Sequence, residues 1–262
     1  MVSNAIWPMA VLDSSALAGS DYEACLSRLE RDEFSRFRAT RRKNEWLAGR
    51  LSSKFLFLSE RAGMQSAFTR LSAAGLESFT PSMYRSTEVM RSDNVRWGCP
   101  QVGTGAETRD VAISHTNGIA CALLGRGETI AVDMERVESR TPVFYKGNFT
   151  ERERAWAAEC SRRLGLDPHW TLTLLWSVKE CLLKTPAFND LSIWDMPALE
   201  LRIVSGADEL AHPQSAREFS GGFALLGVEA TGRGRTVSQR VVVSGRYDLV
   251  ITAILGVDRR TD

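Results

Sequence analysis

Asp133-Met134-Glu135 sets two carboxylates two positions apart inside Thr129–Arg136, a run that reads as a β-strand. Alternate side chains of a strand share a face, so both acids point the same way while Ile130, Val132 and Met134 point into a core. Like charges this close repel, and a hard divalent cation, which prefers oxygen ligands, relieves the repulsion. Taken alone, a D-x-E run is more often a solvated strand edge, here with Arg136 as ion partner. A second candidate is Trp176-Ser177-Val178-Lys179-Glu180, with Lys184 beyond it. On a helix Glu180 and Lys184 share a face. That would set a carboxylate able to bind metal or accept a proton beside an ammonium able to neutralise phosphate. An ordinary i,i+4 surface pair, worth about a few tenths of a kcal/mol, has the same spacing and is the commoner case. Trp176, one turn before Glu180, reads as a core anchor.

Ser114-His115 ends a predicted strand beside a turn, where a histidine can meet a phosphate or ribose; a partly buried, hydrogen-bonded histidine fits as well. Between Arg36 and Lys54 stand seven basic residues (Arg36, Arg38, Arg41, Arg42, Lys43, Arg50 and Lys54) and one acidic residue, Glu45. Such a run attracts phosphates or an acidic partner, or it solubilises a helix face. It is short, no nucleic-acid reading motif accompanies it, and the net charge is only +1, so nucleic acid is not the expected partner. The phosphate-cradling glycine motifs and the G-x-S-x-G elbow are absent from the sequence. Three histidines without clustered spacing argue against zinc hydrolysis.

These groups need elements to hold them. Residues 5–12 read as a strand. Asp21 to about Arg61 is helical, with a plausible break at Ala39-Thr40. Residues 62–110 carry scattered Gly and Pro and read as loops with short elements. Val111–Leu124 reads as two strands turning at Asn117-Gly118, a pair that tolerates positive φ. After the Thr129–Arg136 strand, Thr150 and Glu153 form a capping box. A helix from about His169 to Lys184 follows, with Pro186 beyond its end. Gly222–Ala230, Gln239–Ser244 and Tyr247–Leu255 read as strands. The order suggests two α+β halves, 1–126 and 127–262, with no internal repeat visible at residue level. With 262 residues, 44% hydrophobic and 25% charged, the chain has the composition of a soluble globular protein. Its five cysteines form no C-x-x-C pair, which fits a reducing cytoplasm rather than a disulfide framework or structural zinc. The apolar N-terminal stretch lacks the basic start of a secretory leader, and no long apolar run predicts a membrane span.

In chain order the motifs are Trp46-Leu47-Ala48-Gly49-Arg50, Trp97-Gly98-Cys99-Pro100, Ile113-Ser114-His115-Thr116, Ile130-Ala131-Val132-Asp133-Met134-Glu135, Phe149-Thr150-Glu151-Arg152-Glu153, and Trp176-Ser177-Val178-Lys179-Glu180 with Lys184. Over roughly residues 30–255 this order resembles the 4′-phosphopantetheinyl transferase superfamily, in its larger, monomeric, surfactin-synthetase-activating form. The resemblance implies an α+β pseudo-dimer, each half a small antiparallel sheet packed on a long helix, with the active site in the cleft between them. It implies that Asp133, Glu135 and Glu180 hold Mg²⁺ on the pyrophosphate of coenzyme A. Arg50 and His115 would contact the adenosine and its 3′-phosphate, with Ser114 and the Gly98–Pro100 backbone, including Cys99 and Pro100, nearby. Lys184 would bind the reacting phosphates. The implied activity is transfer of phosphopantetheine to a serine of an acyl or peptidyl carrier protein, with Glu180 as base. Two positions depart from the pattern. Ala131 stands where glycine is usual, and Cys99 where lysine is frequent; both bear on coenzyme affinity more than on the carboxylates. A non-catalytic binder of coenzyme A or carrier protein, or a Mg²⁺-dependent nucleotide hydrolase, would be the rival readings.

Overall fold

The computed structural model describes residues 8–18, 21–64, 68–90, 99–210, 224–246 and 248–255. The chain divides into two compact units, Met1–Ile130 and Ala131–Asp262. Both are α+β.

In the first unit β1 (Met9–Asp13) leads to α1 (Arg28–Ser35) and the long α2 (Thr40–Arg61). Then come β2 (Phe68–Leu71), α3 (Ala73–Leu76), α4 (Pro81–Ser86), β3 (Glu88–Met90), β4 (Gln101–Thr104), β5 (Glu107–Thr116) and β6 (Ile119–Leu124). The sheet runs β2-β1-β6-β5-β4-β3. β1 and β2 pair in parallel, and the other pairs are antiparallel. The second unit holds β7 (Ile130–Arg136), α5 (Pro142–Asn148), α6 (Glu151–Leu164), α7 (Pro168–Leu183), β8 (Glu200–Ser205), β9 (Ala224–Gly232), β10 (Arg235–Arg246) and β11 (Leu249–Leu255). Its sheet runs β7-β11-β10-β9-β8. Setting β2 aside, the two sheets follow the same rule: the first strand lies beside the last, and the others follow in reverse chain order.

Local chemistry explains most boundaries. The expected break falls between α1 and α2. Asn117 and Gly118 take φ of 45° and 83°, so the β5–β6 hairpin closes through the left-handed turn that this pair tolerates best. Asp167 caps the His169 N–H, Pro168 occupies the first turn of α7, and Lys184 ends it. Gly49 lets α2 lie close on the sheet, since a Cβ there would come within 2.9 Å of Ile113 Cγ2. Residues 62–110 hold more regular structure than their weak periodicity predicts, because α3, α4, β3 and β4 are too short to repeat a pattern. The predicted strand residues 5–7, Trp97-Gly98, residues 222–223 and Tyr247 lie outside the described residues.

Each unit carries the same buried device. In the first, Ser27 and Glu30 form the capping box of α1, and the Lys54 ammonium on α2 donates to Glu30 and to the carbonyls of Cys25 and Tyr84. The other Glu30 oxygen accepts from Val89 N–H of β3. In the second, Thr150 and Glu153 cap α6, and Lys179 on α7 donates to Glu153 and to the carbonyls of Asn148 and Met196. The other Glu153 oxygen accepts from Leu201 N–H of β8. Every lysine proton has a partner, which is what makes a fully buried ammonium tolerable. Each knot ties a helix start, a long helix and a sheet edge together. This internal likeness is not visible as sequence repetition.

The core of the second unit packs Trp170, Leu174, Leu175, Val178 and Leu182 of α7 with Val241, Val243, Val250 and Ile254. Burying such a side chain is worth about 2 kcal/mol. The first unit packs Leu47, Leu51 and Phe55 of α2 with Ala10, Leu12, Ala120 and Ala122. All five cysteines are free thiols. No helix among the described residues is long and apolar enough to cross a membrane.

Candidate metal centre

Asp133, Glu135 and Glu180 each offer a carboxylate oxygen, and the three oxygens lie within 4.8 Å of one another. β7 supplies two and α7 the third. The alternation expected for β7 holds, with Asp133 and Glu135 on one face and the buried Ile130, Val132 and Met134 on the other, but the acid-bearing face is buried as well. The acid-bearing face is the one that turns to α7: Ala131 on it belongs to the core, and Asp133 is only 2% exposed. Met134 is equally buried on the reverse face and is no part of that core cluster. Asp133 is therefore not a solvated edge residue, because its oxygens are used by Ser177 of α7 and by Lys184 at the end of that helix. Ser177 donates to Asp133 Oδ2 at 2.8 Å, and the Ser177 and Thr252 hydroxyls lie 2.8 Å apart. Lys184 Nζ donates to Asp133 Oδ1 at 2.7 Å and to the Val132 carbonyl at 3.0 Å.

Lys184 thus corrects the simple i,i+4 picture. Its partner is Asp133 on the neighbouring strand, since the helix ends at Leu183 and the Lys184 side chain folds back onto β7. Burial opposes its charge, but Asp133 outweighs that and holds its pKa above the ordinary lysine value.

Glu135 accepts from Arg140 Nη2 at 3.0 Å, and the Trp176 side chain hydrogen-bonds the same carboxylate. Burial, and then Asp133, push Glu135 up to about 7, with Arg140 pulling the other way. Burial and Asp133 likewise raise Glu180, against Lys184 and Arg140. At neutral pH the cluster carries more acid than its two cations comfortably balance. Three carboxylate oxygens are the donor set a hard divalent cation prefers, and such an ion would favour the charged forms of Glu135 and Glu180. The trio could hold a metal ion.

The other anticipated residues sit in the first unit. Arg50 is buried, pairs with Glu33 at 3.4 Å and stacks on Trp46 with its guanidinium carbon 4.6 Å from the ring centre. His115 meets Arg42 closely, and its Nδ1 lies 3.5 Å from Glu45. Glu45 also accepts from Gly118 N–H, which ties the helix to the hairpin turn. Ser114 is buried beside His115 on β5. The Pro100 carbonyl accepts from Val111 N–H, and the Cys99 thiol donates to the Val111 carbonyl. Burial pushes that thiol up to about 12, so Cys99 brings no charge. The basic run is thinner than its count suggests. Arg36, Arg38, Arg41 and Arg42 are exposed, but Lys54 serves the buried knot and Arg50 is interior.

Sequence reasoning missed Arg140, the Trp176 hydrogen bond and Thr252. Ser177 and Trp176 lay inside a recognised motif, so their spacing to Glu180 was available. Thr252 was not, because only sheet pairing brings β11 beside α7. The Ala131 methyl packs into the core. No protein-family model matches the chain, and no curated protein matches it.

Proposed function

We propose that the protein transfers the 4′-phosphopantetheine arm of coenzyme A to a serine hydroxyl of an acyl or peptidyl carrier protein, releasing 3′,5′-ADP. The observation that supports this most is the convergence of Asp133, Glu135 and Glu180, from two separate stretches of chain, on one point beside Lys184. Phosphoryl transfer requires little covalent work from a protein and much charge balance and positioning. Mg²⁺ held by the three carboxylates would offset the charge of the pyrophosphate and of the departing 3′,5′-ADP.

The chain's own residues supply the rest. Glu180 has a raised pKa and suits a base that takes the serine proton as the serine oxygen bonds to the phosphorus next to the pantetheine arm. The bond from that phosphorus to the ADP oxygen breaks. Lys184 spends two donors on Asp133 and Val132, which keeps a third N–H for a phosphate oxygen. Ser177 and Lys184 together hold Asp133 in one orientation. In this reading Arg50, Ser114, His115 and the Cys99-Pro100 backbone contact the adenosine and its 3′-phosphate.

The test is incubation of apo-carrier protein, coenzyme A and Mg²⁺, followed by mass spectrometry of the carrier. A phosphopantetheine gain that needs Mg²⁺ is expected. Coenzyme A bound without transfer, or cleaved with no carrier present, would overturn the proposal.

A further inference from the structure

Two carboxylates of the cluster have part of their capacity already taken by the protein. Asp133 has a donor on each oxygen: Lys184 on Oδ1 and Ser177 on Oδ2. Glu135 has Oε2 taken by Arg140. Arg140 is not a loosely held surface group. Its guanidinium carbon lies 4.6 Å from the Phe144 ring centre and 5.4 Å from that of Trp176. Those two rings are themselves 4.9 Å apart. The Arg140 backbone N–H donates to Tyr145 Oη at 3.0 Å, and Tyr145 Oη lies 3.1 Å from His169 Nδ1 at the start of α7. Main chain and guanidinium are both fixed, so the hydrogen bond to Glu135 is a constraint imposed on the carboxylate.

Calcium takes 6–8 oxygens at 2.3–2.6 Å and readily uses both oxygens of one carboxylate, whereas magnesium keeps about six ligands near 2.0–2.1 Å and retains waters. The Arg140 donor takes one lone pair of Glu135 Oε2 and sets a positive charge beside it, which disfavours turning both Glu135 oxygens onto one cation while leaving Oε1 to bind. We propose that Arg140 is a positioning residue that limits Glu135 to one-oxygen coordination and so makes the centre favour a small octahedral cation over calcium. The proposal rests on reading Asp133, Glu135 and Glu180 as metal ligands, but not on the identity of the reaction. A cation placed only for charge would weaken magnesium and calcium alike; a restraint on one oxygen changes their ratio.

The experiment is displacement of Mn²⁺ from the full-length protein by Mg²⁺ or by Ca²⁺, followed through the paramagnetic resonance signal of free Mn²⁺. In Arg140→Gln the competing strength of calcium relative to magnesium should rise about tenfold, the scale of outer-shell effects on metal sites. Arg140→Lys keeps a charge and a donor and should recover most of the wild-type ratio. Phe144→Leu loosens the guanidinium without removing it and should move the ratio the same way by less; it carries the test if Arg140→Gln does not fold. An unchanged ratio in the folded variants overturns the proposal, whether or not both affinities fall. A wild-type protein that binds no Mn²⁺ overturns the metal reading itself, and this proposal with it.

Discussion

The two long helices, α2 and α7, can be laid side by side on their buried lysines, Lys54 and Lys179. Both lysines meet a capping-box glutamate that also holds a strand N–H, and each unit's sheet follows the same strand order once β2 is set aside. Around that fixed point the helices diverge. Two residues before the lysine, Ser177 donates to Asp133, while Ser52 has a hydroxyl with no hydrogen-bond partner among the described residues. One residue after it stands Glu180 in α7 and the core residue Phe55 in α2. Five after it stand Lys184 and Ser59, the latter also without a partner. β7 carries two acids facing α7, whereas Met9, Ala10, Val11 and Leu12 of β1 are apolar and buried. A buried lysine–glutamate knot thus occurs in both units, and the clustered carboxylates lie in the second. The buried ion pair belongs to the architecture; the carboxylates are additions to it.

The comparison can be broken most forcefully at the carboxylates. Asp133→Asn or Glu180→Gln should lower phosphopantetheine transfer by about a thousandfold with circular dichroism unchanged. Ser52→Ala, at the matching place in α2, should leave transfer intact. Near-normal turnover in the acid variants would remove the functional half of the contrast.

The knots come next. Lys54→Met and Lys179→Met each strand a buried carboxylate and should cost about 3–5 kcal/mol, read by urea denaturation. A large cost in one unit and none in the other would show that the two devices are not equivalent. Ser177→Ala removes a hydrogen bond to a charged group and should cost about 1.5–3 kcal/mol. Ser52→Ala breaks no such bond and should be close to neutral, which makes this pair the sharpest comparison.

The smallest effect is on pH. Glu135 has its folded pKa raised from the ordinary carboxylate range to about 7, so it favours the fold most when protonated. Its stabilising contribution is full at low pH and is lost as pH rises toward about 7 in the metal-free protein. Mg²⁺ competes with that proton, so its stabilisation should grow over the same interval. Thermal unfolding with and without Mg²⁺, from about pH 5 to about pH 8, should show a Tm increment that widens with pH; a constant increment would contradict the assignment.

Particular residues show where reading stopped. The Asn117-Gly118 turn, the Thr150–Glu153 box and the end of α7 were legible because they are local: a turn residue or a cap acts within a few positions of itself. Lys54 looked like part of a phosphate-attracting run, and nothing nearby in the chain distinguishes it from Arg41 or Arg42. Its burial depends on Glu30, Cys25 and Tyr84, which the fold brings from far along the chain. Glu180 and Lys184 looked like partners because they are neighbours on a helix, yet the Lys184 ammonium belongs to Asp133.

The sequence alone determined that Asp133 and Glu135 share a face and that helix and strand alternate in an α+β order, since both follow from the period of the backbone. Only tertiary structure decided that this face turns to α7, that Glu180 meets it and that Arg140 claims one of its oxygens. Those outcomes depend on sheet order and helix packing, in which contacts between distant residues outweigh local preference.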